Sequence, residues 1–225
     1  MTKFTFATSE EGFDNHIETS VRGYTNLWGD VLSMSKYFVE DNTNIVDLGC
    51  STGKLLKSMI EQNKEHIPNA KYIGIEIEED FFSNYDNDEK LYNTLKYYKG
   101  DVRKFNFQNC SLVTSIFTLQ FMPPKDRENT INRIYQGLNH GGAFIFSEKT
   151  FSCDPQVQDM MTFMYYDYKR KNFSEKEILD KEVQLRHMMK PNTKTEIFDM
   201  CHKAGFKTHV FWQNFNFVGI VAIKK

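Results

Sequence analysis

"NIVDLGCSTGKLL", Asn44 to Leu56, decides the fold. The apolar run Ile45-Val46 reaches Asp47 and Leu48, turns through Gly49, Cys50, Ser51, Thr52 and Gly53, and restarts as Lys54-Leu55-Leu56. That order predicts a buried strand, a glycine turn and the first turn of a helix. Such a joint sets backbone N–H groups and a positive helix end where a polar or acidic ligand can lie.

The same alternation continues outward from this joint. A helix is expected from Gly53 to about His66, a second strand at "KYIGIEI", a helix at "EEDFFSNYDNDEKL", a third strand at "TLKYYKGD" and a fourth at "SLVTSIFTLQF". "PKDRENTINRIYQGL" starts with Pro124 and ends near Gly137, the expected helix asymmetry, and "GGAFIFSEK" makes a fifth strand. Repeated strand–helix units predict an α/β fold, a parallel sheet with helices on both faces. After Lys149 the rhythm changes. Residues 155–189 read as two helices, the second capped by Ser174 with Glu177 three positions on, and these would form a lid. "TKTEIFDMCHKAGF" is a helix stopped by Gly205, and two closely spaced strands end the chain as an antiparallel pair. The expected organisation is one domain over 1–225: N-terminal helices at 1–40, a core at 44–149, the lid at 155–189, and the C-terminal helix and strands at 193–225.

Composition narrows the class. Apolar residues are 40% and charged residues 26% of 225, ordinary for a globular chain. A net charge of −2 gives no global pull toward nucleic acid or anionic membrane. Cys50, Cys110, Cys153 and Cys201 form no CxxC pair and have no matching histidine spacing, so reduced thiols are expected rather than zinc or disulfides. With no long apolar span and no secretory h-region, the expected setting is the cytoplasm.

Open α/β sheets bind ligands at the carboxyl ends of their strands. Asp47 and the Gly49–Gly53 turn close the first strand, Glu76 the second, Gly100-Asp101 the third, and Phe117 to Phe121 the fourth. A carboxylate ending the second strand suits ribose hydroxyls, and Asp101 can accept from an adenine amino group while Val102 packs the ring. The G-C-S-T-G spacing is neither GxGxxG nor a P-loop, because Lys54 is followed by Leu55.

This turn, with Glu76 and Asp101, resembles motif I and its partner sites in the class I S-adenosylmethionine-dependent methyltransferases. That family implies a Rossmann-like fold, mostly parallel, with an antiparallel C-terminal strand. "SVRGYTNLW", "DLGCSTG", "FTLQFMPP", "INRIYQGLNHGGAFIFSEK", "YDYKR" and "NFNFVGIVAIKK" are more closely similar to the carboxy-S-adenosyl-L-methionine synthases, over nearly the whole chain. This resemblance implies a cytoplasmic homodimer that uses the small molecule prephenate to carboxylate S-adenosylmethionine, for tRNA wobble-uridine modification. It also implies cofactor contacts from Tyr24, from Gly49, Cys50 and Ser51, and from Asp101-Val102.

Several positions depart from that family. Its Asp-Asn at the end of the second strand is Glu76-Ile77 here, and the asparagine before FTLQF is Ile116. Phe117 and Gln120 read as pocket wall, with Gln120 the polar one in an apolar run. The family's carboxylate-holding arginine aligns with Glu182, which would repel a carboxylate. Arg186, one turn later on the same helix face, is a substitute cation, and Lys181, next door to Glu182, is the alternative position for the aligned arginine. Tyr24, Glu182 and Arg186 are therefore the expected catalytic positions. Asp47, Gly49, Cys50, Ser51, Gly53, Glu76, Ile77, Asp101, Val102, Ile116, Phe117 and Gln120 join Tyr24 at the cofactor, and no metal is expected. The glutamate favours transfer of a methyl or modified methyl to an unidentified acceptor, with the family activity as the alternative and a non-catalytic cofactor module third.

Overall fold

The computed structural model describes residues 10–225. Two helices come first, α1 (Glu10–Ser20) and α2 (Tyr24–Ser35). Alternation follows: β1 (Asn44–Leu48), α3 (Lys54–Asn63), β2 (Lys71–Glu76), α4 (Tyr85–Leu91), β3 (Leu95–Lys99), β4 (Cys110–Ile116), α5 (Pro124–Gly137) and β5 (Leu138–Phe151). The lid helices α6 (Pro155–Lys169) and α7 (Glu175–Met188) precede β6 (Asn192–Thr193), α8 (Lys194–Ala204), β7 (Lys207–Asn214) and β8 (Phe217–Ile223).

The main path of the sheet runs β3-β2-β1-β4-β5-β8-β7, with β6 paired to the end of β5. β1 to β5 pair in parallel, whereas β8 runs antiparallel to β5 and β7 antiparallel to β8. This is the expected fold. Burial on both faces explains the near-continuous apolar strands. Ile45, Leu112 and Ile145 pack with α2 and α3, while Val46, Val113 and Phe144 pack with Ile134 of α5 and Ile197 of α8.

Three expected elements differ. The fourth strand ends at Ile116 instead of running to Phe121. Phe117 adopts φ 58°, its N–H donates to Ser147 O, and Thr118 Oγ1 donates to Leu48 O, so the chain turns over the strand ends into a short 3-10 helix, Leu119–Phe121. The helix expected after β2 is a 3-10 segment, Glu79–Asn84, followed by α4. β5 is longer than its apolar run because it extends at both ends, to Leu138 and Phe151. The Ser174–Glu177 capping box is present, and a second one, Thr193 with Glu196, opens α8. Among the described residues no helix is long and apolar enough to cross a membrane.

Candidate active site

The glycine turn is held by its own backbone. Gly49 and Cys50 N–H both donate to Ile75 O, Ser51 N–H donates to Glu76 Oε2, and Gly53 N–H donates to Cys50 O. The turn's amides at these four positions are thus spent on the fold, unlike the ligand-facing N–H groups expected from the sequence. Gly53 sits at φ 71°, and a Cβ there would run into the Tyr97 hydroxyl, so this position needs glycine for packing as well as conformation.

Glu76 is buried at the end of β2. Its Oε1 accepts from Ile77 and Glu78 N–H at 2.8 and 3.0 Å, and its Oε2 accepts from Ser51 at 2.9 Å. A carboxylate has about four lone-pair sites. Three are occupied, which leaves a grip for one ribose hydroxyl rather than the two expected. Burial raises its pKa, against the pull of the three amides. Asp47, at the end of β1, accepts from Thr114 Oγ1 at 2.7 Å, and burial pushes it up to about 7. It faces a small side pocket rather than the main cavity.

The main cavity, about 630 Å³, runs over the carboxyl edge of the sheet and is roofed by α1 and the lid. That size suits a small organic ligand. At one end lie Gly49, Ser51, Glu76 and Ile77, and Ile116, Phe117 and Gln120 form its wall. Gln120 Oε1 accepts from Lys149 N–H at 2.8 Å, so the polar residue singled out in the sequence anchors a cavity lysine. Tyr24 and Cys50 line the small pocket beside it, Tyr24 with its ring 6.4 Å from Phe117. Burial raises the pKa of both groups, keeping phenol and thiol protonated.

The lid end is cationic. Lys149 from β5, Lys169 from α6 and Lys181 from α7 all line the cavity with Glu182. Lys149 Nζ stands 3.7 Å from Glu182 Oε1, with side-chain exposures of 11% and 21%. Lys149 Nζ and Lys169 Nζ lie 5.2 and 5.4 Å from the Tyr165 ring centroid. Burial lowers the pKa of all three lysines. Among the described residues Glu182 stands beside Lys149 and Lys169, which offset the repulsion of a carboxylate expected from the sequence.

Three of the expected site residues lie off the main cavity lining. Arg186 is exposed on α7 and lies off the cavity lining, whose cations are Lys149, Lys169 and Lys181. Asp101 also lies outside that lining, with Arg103 Nε and Nη2 bound to its Oδ2 at 2.9 and 2.6 Å; the guanidinium holds its pKa below the usual range. Val102 is buried in the core below. Reasoning from sequence missed Lys149 and Lys169. The signal was their place at the end of a strand and inside the aromatic lid run, where a solvated charge is out of pattern.

Comparisons with known proteins bear on the fold and the family. A family model described as a methyltransferase domain matches residues 45–142. The carboxy-S-adenosyl-L-methionine synthase of Staphylococcus epidermidis is 40% identical over 214 residues, covering 94% of this chain and 92% of that protein. The synthase of a Shewanella species is 37% identical over 217 residues, covering 94% and 88%. Among solved structures, human N-acetylserotonin methyltransferase in complex with SAM matches with TM-score 0.60 at 16% identity, over 97% of this chain and 57% of that one. The YcgJ protein from Bacillus subtilis matches with TM-score 0.63 at 11% identity, over 89% and 99%. With a class I methyltransferase fold and relatives of this identity along almost its full length, the chain belongs to the carboxy-S-adenosyl-L-methionine synthase family of S-adenosylmethionine-dependent transferases.

Proposed function

We propose that the protein is a carboxy-S-adenosyl-L-methionine synthase, using prephenate to carboxylate S-adenosylmethionine for tRNA wobble-uridine modification. One observation carries this over methyl transfer to another acceptor: Lys149, Lys169 and Lys181, from three separate elements, all line the cavity. A neutral or cationic acceptor has no use for such a cluster, whereas an anionic donor and a carboxylated product do.

The residues fit the cofactor. Glu76 has a lone-pair site for a ribose hydroxyl, and Ile77 and Phe81 offer apolar surface to the adenine. Asp101 would reach the base only by sharing its carboxylate with Arg103. Bound S-adenosylmethionine supplies the sulfonium methyl carbon that receives the carboxyl group.

The chain's part is to bind and to exclude water. The lid seals the anion end with Tyr165, Leu185 and Met188, so the lysines act in a region of low dielectric where charge pairing is strong. Glu182 holds Lys149 in place and opposes the lowering of its pKa by burial. Lysines are point charges without the fork of an arginine, and three of them supply from several directions what one guanidinium would supply from one. The lid helices expose Met160, Phe163, Met164, Leu179 and Val183, apolar surface that the proposed homodimer would cover.

Mass spectrometry of ligand extracted from the purified protein tests the function. Carboxylated cofactor, increasing when prephenate is supplied, supports it. S-adenosylmethionine or its demethylated product, with no gain on adding prephenate, would refute it and return methyl transfer to first place.

A further inference from the structure

Arg127, in the first turn of α5, is only 3% exposed and does not line the main cavity. A guanidinium withdrawn from water must find acceptors for its donors. Nε donates to Met122 O at 3.0 Å, Nη2 donates to Gln120 O at 3.0 Å and to Met122 O at 2.8 Å, and Nη1 donates to Asn192 Oδ1. Met122 is near in the chain. Gln120 belongs to the 3-10 turn over the strand ends, and Asn192 to β6, which follows the lid. The Asn192 amide is itself oriented, because its Nδ2 donates to Glu196 Oε2 at 3.2 Å.

We infer that Arg127 is a positioning residue for the cavity: it fixes Gln120 from outside and, through Gln120, sets the place of Lys149. The inference rests on the function proposed above. Its basis is a closed ring of contacts. The Gln120 carbonyl is held by Arg127, and the Gln120 Oε1 accepts from Lys149 N–H at 2.8 Å. Lys149 Nζ reaches Glu182 on α7 at 3.7 Å. α7 ends at Met188, and just beyond it Lys190 N–H donates back to the same Gln120 carbonyl at 3.0 Å. Cavity wall, β5 and lid thus close on Gln120, and Arg127 joins that closure to α5.

The arrangement calls for a guanidinium. Its planar fork meets Met122, Gln120 and Asn192 from separate nitrogens, which the single nitrogen of a lysine cannot span. A countercharge stands near. Glu148, next to Lys149 in β5, is 5% exposed, and its Oε1 has no hydrogen-bond partner among the described residues. Burial pushes its pKa up to about 8, against the pull of Arg127 and of the Leu119 and Gln120 N–H groups. The turn is therefore held from both sides, its carbonyls by Arg127 and its amides by Glu148. Neither of these two side chains lines the cavity, so their effect on a ligand passes through Gln120 and Lys149.

Calorimetric titration with S-adenosylmethionine and with its carboxylated form tests this through a double-mutant cycle. Arg127→Lys keeps a charge beside Glu148 but loses the fork. It should weaken the carboxylated form about tenfold and change S-adenosylmethionine by less than about twofold. Introduced into Lys149→Met, the same substitution should cost nothing further, because the group it positions is gone. Equal weakening of both ligands, no weakening of either, or an undiminished loss in the Lys149→Met background would overturn the positioning role. Asn192→Leu, which cuts only the tie to β6, should give a loss of about threefold with the same selectivity, and decides by the same criteria if Arg127→Lys does not fold. An unaltered protein that binds both cofactor forms equally would refute the proposed function itself, a result distinct from failure of the cycle.

Discussion

Lys149 Nζ and Glu182 Oε1 face each other at 3.7 Å across the anion end of the cavity, joining β5 to the second lid helix. Both side chains are mostly withdrawn from solvent, so this contact is screened far less than a surface ion pair. It also reverses the meaning of the glutamate. Alone, Glu182 would repel a carboxylate; beside three lysines, it orders the cation nearest to it.

Replacing Lys149 by Met should weaken binding of carboxylated cofactor about ten- to a hundredfold, the scale of a lost hydrogen bond to a charged group. Binding of unmodified S-adenosylmethionine should change little. Glu182→Arg should raise affinity for the carboxylated form by adding a fork to the lysine cluster. Titration showing weaker or unchanged binding in Glu182→Arg would mean that this helix position does not face the carboxylate.

Glu76→Gln should reduce S-adenosylmethionine affinity about tenfold and lower stability by about 1–3 kcal/mol. The amide turns an N–H2 toward either Ser51 N–H or the Ile77 and Glu78 N–H pair, opposing donor to donor. Equilibrium dialysis and a urea melt read the two effects separately.

Asp47 makes stability depend on pH. Its folded-state value is raised from 3.8 to about 7, so between those values the folded chain holds a proton that the unfolded chain releases. Stability is therefore full below the lower value and falls as pH rises through the window, by an amount on the order of 4 kcal/mol. Asp47→Asn removes that slope. Relative to the unaltered protein, the variant should be more stable at pH about 8 than at pH about 4 by that difference. Parallel denaturant midpoints at both pH values would show that Asp47 is not carried protonated into the fold.

Gly53→Ala should destabilise by about 2 kcal/mol or more, since φ 71° is strained for alanine and the new methyl meets the Tyr97 hydroxyl. Adding Tyr97→Phe should recover part of this loss, which thermal melts of the single and double variants can measure.

The fold was legible because its signals are local. Buried strands announce themselves by apolar runs, Gly205 and Pro124 punctuate helices, and Ser174 with Glu177 writes a capping box into four residues. The end of β4 was not legible. Ser111 to Phe121 reads as one apolar strand, and only contacts with Leu48 and Ser147, distant in sequence, turn the chain at Phe117.

The site divides in the same way. From the order of residues alone came the strand-end acids, the glycine turn and the family, because a carboxylate after an apolar run marks the edge of the sheet. Tertiary structure decided which of those groups remain available. It spent the turn's amides on Ile75 and Glu76, tied Asp101 to Arg103, turned Arg186 outward, and gathered Lys149, Lys169 and Lys181 from three separate elements around Glu182. Charge balance in a cavity is a sum over neighbours in space, and no stretch of sequence contains that sum.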